Sequence, residues 1–193
     1  SDLSPYPHVF FSKDAVIYRE DYEYPWLSVN FDLEYIDNPL RDSLNSHAEY
    51  FATDFVSLEI SPDQPYAVAV CRNPLTKKRC VAMVQWNKAP AVLPVPMKLG
   101  KDEEAEMGSL TLSPSGRWAY FSTDEKGVLR HYLLYIDTGL PNGCLPPFSL
   151  KVEAPIGSKV TWVTSPEGLV IWNRSKFLYW DVSKFDVKSY DEK

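Results

Sequence analysis

Cysteine, histidine and methionine are each present only three times in 193 residues. Cys71, Cys80 and Cys144 are odd in number, widely spaced and without a C-x-x-C pair, so neither a disulfide framework nor a zinc site is supported. Cys71 and Cys80 flank a turn and would face each other across a hairpin; that permits a bridge in a secreted protein, while free thiols in a reducing compartment are the expectation. Long apolar runs are missing as well. Pro90, Pro94 and Pro96 interrupt the most apolar stretch, well short of the roughly 18 residues of a membrane span. Excess positive charge is absent: 20 Lys and Arg stand against 26 Asp and Glu, a net charge of -6, so nucleic acid is not an expected partner. The chain opens on Ser1 with no basic segment leading into an apolar one, which reads as a cut or processed product.

Catalytic signatures are equally scarce. There is no G-x-S-x-G, no H-E-x-x-H, no phosphate-cradling glycine loop and no EF-hand spacing. His8, His47 and His131 are far apart in sequence, with no motif to join them, and read as structural or surface residues. The acidic run 102–106 reads as a solvated connector, because hard cations need ligands held in a defined loop. Asn173-Arg174-Ser175 forms a glycosylation triplet of a kind that arises often by chance. No catalytic residue, cofactor or metal ligand is assigned, and the chain is not read as an enzyme.

What is present is 45% apolar and 14% aromatic residues, the composition of a folded domain, together with an internal repeat. Ser61-Pro62-Asp63-Gln64, Ser113-Pro114-Ser115-Gly116 and Ser165-Pro166-Glu167-Gly168 recur at a spacing of 52 residues (61 to 113, 113 to 165), and Ser12-Lys13-Asp14 sits at the equivalent earlier place. A second marker recurs in phase: Tyr35-Ile36-Asp37, Tyr135-Ile136-Asp137 and Tyr179-Trp180-Asp181, with Gln85-Trp86-Asn87 as a weaker fourth member. Between the markers lie alternating, β-favouring segments joined by tight turns. Strands are expected at 56–60, 66–70, 81–86 and 92–97, at 109–112, 118–121, 131–136 and 148–152, and at 160–164, 169–172, 177–180 and 185–190. The first copy is looser, with 8–11, 15–18, 27–36 and 49–52 and a short helical insert around Leu40, Leu44 and His47. The fold class expected is all-β: a β-propeller region of about four four-stranded antiparallel blades (roughly 1–53, 54–100, 101–154 and 155–193), forming part of a larger ring. Such blades cannot bury their own faces, and radial repetition covers them. A β-sandwich is the competing architecture.

The segments 110–139 and 160–181 resemble blades of the tryptophan-aspartate (WD) repeat family, although the Gly-His pair that precedes its first strand is absent and only Trp180-Asp181 gives the literal dipeptide. The resemblance implies a scaffold that binds proteins, with Asp37, Asp137 and Asp181 supporting turns. Aspartate also favours strand ends on its own account.

Antiparallel order within each blade sends the Ser-Pro turns to one end and the second-to-third-strand turns to the other. The second end carries Tyr22, Tyr24 and Trp26 in one long loop and Arg72, Lys77, Lys78 and Arg79 in another; Arg174 lies in the corresponding turn of the last repeat. Exposed aromatics and arginines are enriched at binding hot spots, so these eight residues form the candidate site; the competing reading is that Trp26 and the tyrosines pack into the first blade and that Lys77, Lys78 and Arg79 are solvated. Gly116 and Gly168 are expected to supply positive φ in their turns. The function expected is a non-catalytic module binding a partner protein or peptide. The alternatives are a gating propeller of a hydrolase whose catalytic domain lies outside this chain, a carbohydrate-binding propeller, and a purely structural blade set. Missing blades or a second copy would cover the end blades. A cytoplasmic setting is expected, with an extracellular one left open.

Overall fold

The computed structural model describes residues 8–151 and 157–185. It is mostly β, with four antiparallel sheets and few helices. Sheet I holds β1 (His8–Phe11), β2 (Val16–Arg19) and β3 (Leu27–Val29). Sheet II holds β4 (Ser57–Ile60), β5 (Tyr66–Arg72), β6 (Arg79–Gln85) and β7 (Ala91–Pro94). In sheet III, β8 (Glu104–Ala105) and β9 (Thr111–Leu112) both pair with β10 (Trp118–Glu125), which continues to β11 (Val128–Tyr135) and β12 (Phe148–Leu150). Sheet IV holds β13 (Lys159–Thr164), β14 (Glu167–Trp172) and β15 (Phe177–Asp181).

The central strands are apolar on both faces because each face meets a different sheet. On β5, Ala67, Ala69 and Cys71 point into a core shared with Ile17 and Trp26 of the first repeat, whereas Tyr66, Val68 and Val70 point into a core shared with Ala119, Phe121 and Leu134 of sheet III. On β10 the alternation repeats: Trp118 and Tyr120 face Leu169 and Ile171 of sheet IV. Three cores in sequence order therefore stack the sheets I, II, III, IV. The described residues form no closed ring.

The expected strands map onto these sheets with three corrections. The first repeat has no fourth strand at 49–52, because that segment is helix α2 (Ala48–Phe51), following α1 (Pro39–Ser46). Asn38 caps α1 by accepting from the N–H groups of Leu40 and Arg41 at 2.9 and 3.2 Å, with Pro39 in the first turn. Leu40, Leu44 and Phe51 then pack into the same core as Ala67, Ala69 and Ala82, whose small side chains leave room for the helices. The third strand of that repeat ends at Val29, and Tyr35 adds only an isolated bridge to it. In sheet III the first strand is split into β8 and β9. The fourth strand expected at 185–190 lies, from residue 186 onward, outside the described residues.

The repeated markers have a local reason. Ser12 Oγ accepts from Ala15 N–H, Ser61 Oγ from Gln64 N–H and Ser113 Oγ from Trp118 N–H, at 3.1, 3.2 and 3.1 Å, so each serine closes its own turn. Asp137 and Asp181 accept from the N–H two residues on, of Gly139 and Ser183, at 2.9 and 3.1 Å. Cys71 and Cys80 stand directly opposite in the β5–β6 register as free thiols, with their sulfurs 4.0 Å apart. No helix among the described residues is long and apolar enough to cross a membrane.

Candidate interaction site

Contacts between neighbouring sheets join like turns to like turns. At one end, the Tyr66 hydroxyl of sheet II donates to the Gly116 carbonyl of sheet III, and Ser115 N–H and Oγ both donate to Glu167 at the start of β14, at 2.8 Å each. At the other end lie the β2–β3, β5–β6, β10–β11 and β14–β15 turns. The eight candidate residues belong to this second end, as the alternation requires, but they do not behave alike.

Trp26 is 3% exposed. The Arg19 guanidinium stacks on its ring at 4.4 Å, Phe10 and His8 lie against it with ring centroids 5.5 and 5.8 Å away, and Asn45 clamps its backbone N–H and carbonyl at 2.9 Å each. Arg19, itself buried, donates to the carbonyls of Phe51 and Thr53 and so ties β2 to the end of α2. Burial lowers its pKa to about 10, which leaves it charged at neutral pH and stabilised by those carbonyls. Trp26 is therefore a packing residue, which corrects its place among the surface candidates.

The basic loop is largely committed internally. Lys78 Nζ donates to the carbonyls of Gly100, at 3.3 Å, and of Lys101; Arg79 Nε pairs with Glu104 at 3.1 Å and its guanidinium lies over Phe55, as does that of Arg72, at 5.5 and 5.3 Å. The hairpin of one sheet runs beside the link into the next, and these cations fasten the two. Lys77, at φ +61°, and Arg174 remain exposed. The acidic run is correspondingly not a solvated connector: Glu103 is 1% exposed and accepts from Gly100 N–H at 2.8 Å and from Thr123 Oγ1, with Arg130 at 3.8 Å. Burial opposes its charge, but these donors outweigh that and hold its carboxyl below the usual value.

Tyr22 and Tyr24 are the aromatic members that stay open, at 43% and 59% exposure. They rim a depression of about 550 Å³ whose other walls include Glu23, Arg19, Trp26, Phe51 and Ala48. Glu23, Asp21 and Asp54 put negative charge around Tyr22 and raise its phenol pKa, Glu23 most strongly. The site can therefore take a partner that combines a cation with an apolar group.

A second cleft, of about 490 Å³ and of mixed lining, opens between sheets III and IV. There the Tyr120 hydroxyl sits 2.7 Å from His131 Nδ1, and Ser122 Oγ donates to Glu106 at 2.9 Å; His131 Nε2 has no partner among the described residues. A lone histidine on a strand gives no sequence signal for such a network, which depends on the diagonal neighbour across the β10–β11 ladder. Burial lowers the His131 pKa, with Glu106 pulling weakly the other way, and burial likewise lowers that of His8. Below the unfolded value of 6.5 the unfolded chain then takes up protons that the folded one resists, so stability falls as pH falls through that range. Thermal melts at about pH 7.5 and about pH 5.5 should show a lower midpoint in acid. His131→Gln should reduce the difference by removing one of the two groups; an unaltered difference would assign the effect elsewhere.

Among the described residues no group of three or more His, Cys, Asp or Glu side chains is placed to hold a metal ion. Neither a family model, nor a curated protein, nor a solved structure matches this chain.

Proposed function

We propose that the chain is a run of WD-type propeller blades serving as a non-catalytic protein-interaction module, and that its peptide site is the Tyr22–Tyr24 depression. Four antiparallel sheets stacked in chain order, with like turns gathered at like ends, support the blade reading. The observation that carries the binding reading is an exposed tyrosine pair above a floor made rigid by the Arg19–Trp26 stack and the Asn45 clamp. Rigid aromatics anchored beside a fixed floor contribute contact area at little entropic cost. The acidic surround selects a peptide with a Lys or Arg next to an apolar residue. A carbohydrate-binding propeller would repeat its stacking aromatics sheet by sheet, whereas the equivalent turns at 73–78, 126–127 and 173–176 contain none.

The test is selection from a displayed peptide library against the folded chain, followed by calorimetric titration of the enriched peptides. Enrichment of basic-apolar pairs is expected, with Tyr22→Ala/Tyr24→Ala weakening them by about tenfold or more, roughly 1.4 kcal/mol, at an unchanged melting temperature. Peptides that bind the double variant as well as the parent chain would remove the site from this surface.

A further inference from the structure

Among the described residues, the three internal sheet-on-sheet contacts leave two faces uncovered, one at each end of the stack. On the outer face of sheet IV the register aligns Lys159, Trp172 and Phe177 in one row and Thr161, Val170 and Tyr179 in the next. Trp172, Phe177, Tyr179 and Val163 are 40%, 67%, 41% and 37% exposed, and they border a shallow depression of about 1020 Å³ with Arg174 and Lys176 on its rim. The outer face of sheet I aligns Phe11, Val16, Val29 and Tyr35, with Val9 and Tyr18 in the next row, and Phe11 and Tyr35 are about 70% exposed. Both faces carry the aromatic and β-branched residue types that fill the three internal cores, in the alternation that puts them outward. Contiguous apolar patches of this kind mark contact surfaces.

Charge indicates which face meets which. Residues 8–37 carry seven acidic and two basic side chains, Glu20, Asp32 and Glu34 among the exposed acids, whereas residues 157–185 carry four basic and two acidic ones. Stacking sheet IV on a second sheet IV, or sheet I on a second sheet I, opposes like charges; sheet I against sheet IV joins opposite ones. We infer that two copies of this chain pair reciprocally, the sheet I face of each seated on the sheet IV face of the other. Two equivalent contacts of this kind close under twofold symmetry and cover both end faces of the described sheets. A three-stranded face about 14 Å by 17 Å, counted on both sides of both contacts, removes on the order of 1,000 Å², the size at which a specific interface begins. The pairing stands apart from the tyrosine site, which lies at the turn end of the stack.

The test is light scattering of the purified chain at about 100 µM, well above a micromolar dissociation constant. A mass twice the 22.1 kDa of the chain is expected, and a monomer at that concentration overturns the inference. Two charge-reversed chains then address the pairing: one with Lys159→Glu, Arg174→Glu and Lys176→Glu, the other with Glu20→Lys, Asp32→Lys and Glu34→Lys. Each alone should be monomeric with an unchanged circular dichroism spectrum, and the equimolar mixture should form a one-to-one dimer. A dimer that persists in either variant alone, or a mixture that stays monomeric, overturns the pairing. Tyr22→Ala/Tyr24→Ala should dimerise like the parent chain, so loss of peptide binding and loss of pairing are read separately.

Discussion

Trp26→Ala should destabilise the chain by about 4 kcal/mol, measured as a shift of the denaturant midpoint at constant slope. The indole is almost wholly buried against Phe10 and His8, and its removal leaves a large-to-small cavity in the core that sheets I and II share with the helices. It also strips the stacking surface from a buried guanidinium that stays charged, and its bonds to His8 Nδ1 and to the carbonyls of Tyr22, Phe51 and Thr53 have to hold that charge without the ring. Tyr24→Ala, two residues away in the same loop, should change stability by less than about 0.5 kcal/mol, because its ring is mostly in solvent. The contrast separates the floor of the depression from its rim. A Trp26→Ala chain as stable as the parent would mean that the indole is not a packing residue and that the surface assignment made from sequence was the better one.

That loop shows where the sequence was readable and where it was not. Period and alternation are properties of neighbouring residues, so the four groups of strands, the two ends of the stack and the places of the Ser-Pro turns could be read from the chain directly; of the three strand-end aspartates, Asp137 and Asp181 support turns, whereas Asp37 pairs with Arg41. Burial of a loop side chain is not such a property. Trp26 is drawn inward by Asn45, nineteen residues away, and Lys78 and Arg79 by the 100–104 link, more than twenty residues away. The segment 49–52 misled for a related reason: Tyr50 and Phe51 are strand-favouring residue types, but the preceding Asn38-Pro39 start places them behind a capped helix that docks on the alanine face of sheet II. Tertiary partners decided these positions, and the repeat pattern carries no information about them.

The two glycines of the Ser-Pro-x-Gly marker should both resist substitution, for different reasons. Gly116 has φ +73°, the left-handed region, and a Cβ there would stand 2.9 Å from Tyr66 Oη and 3.1 Å from Ser61 Oγ. Gly116→Val therefore strains the turn and disturbs the buried bond from the Tyr66 hydroxyl to the Gly116 carbonyl, which ties sheet II to sheet III; the two effects together should cost about 3 kcal/mol. Gly168, expected from its place in the marker to be a positive-φ turn residue, is instead a β14 strand residue without positive φ. Its constraint is contact: a Cβ there would run into the Tyr179 ring and stand 2.7 Å from the Trp180 carbonyl oxygen across the β14–β15 ladder. The Tyr66→Phe background distinguishes the two cases. With the hydroxyl already gone, Gly116→Val should cost less than in the parent chain by about 1 kcal/mol, the non-additivity of two changes at one contact, whereas Gly168→Val should cost the same in both backgrounds. Full additivity of Tyr66→Phe with Gly116→Val would show that the valine leaves the inter-sheet bond undisturbed and that backbone strain alone accounts for the loss.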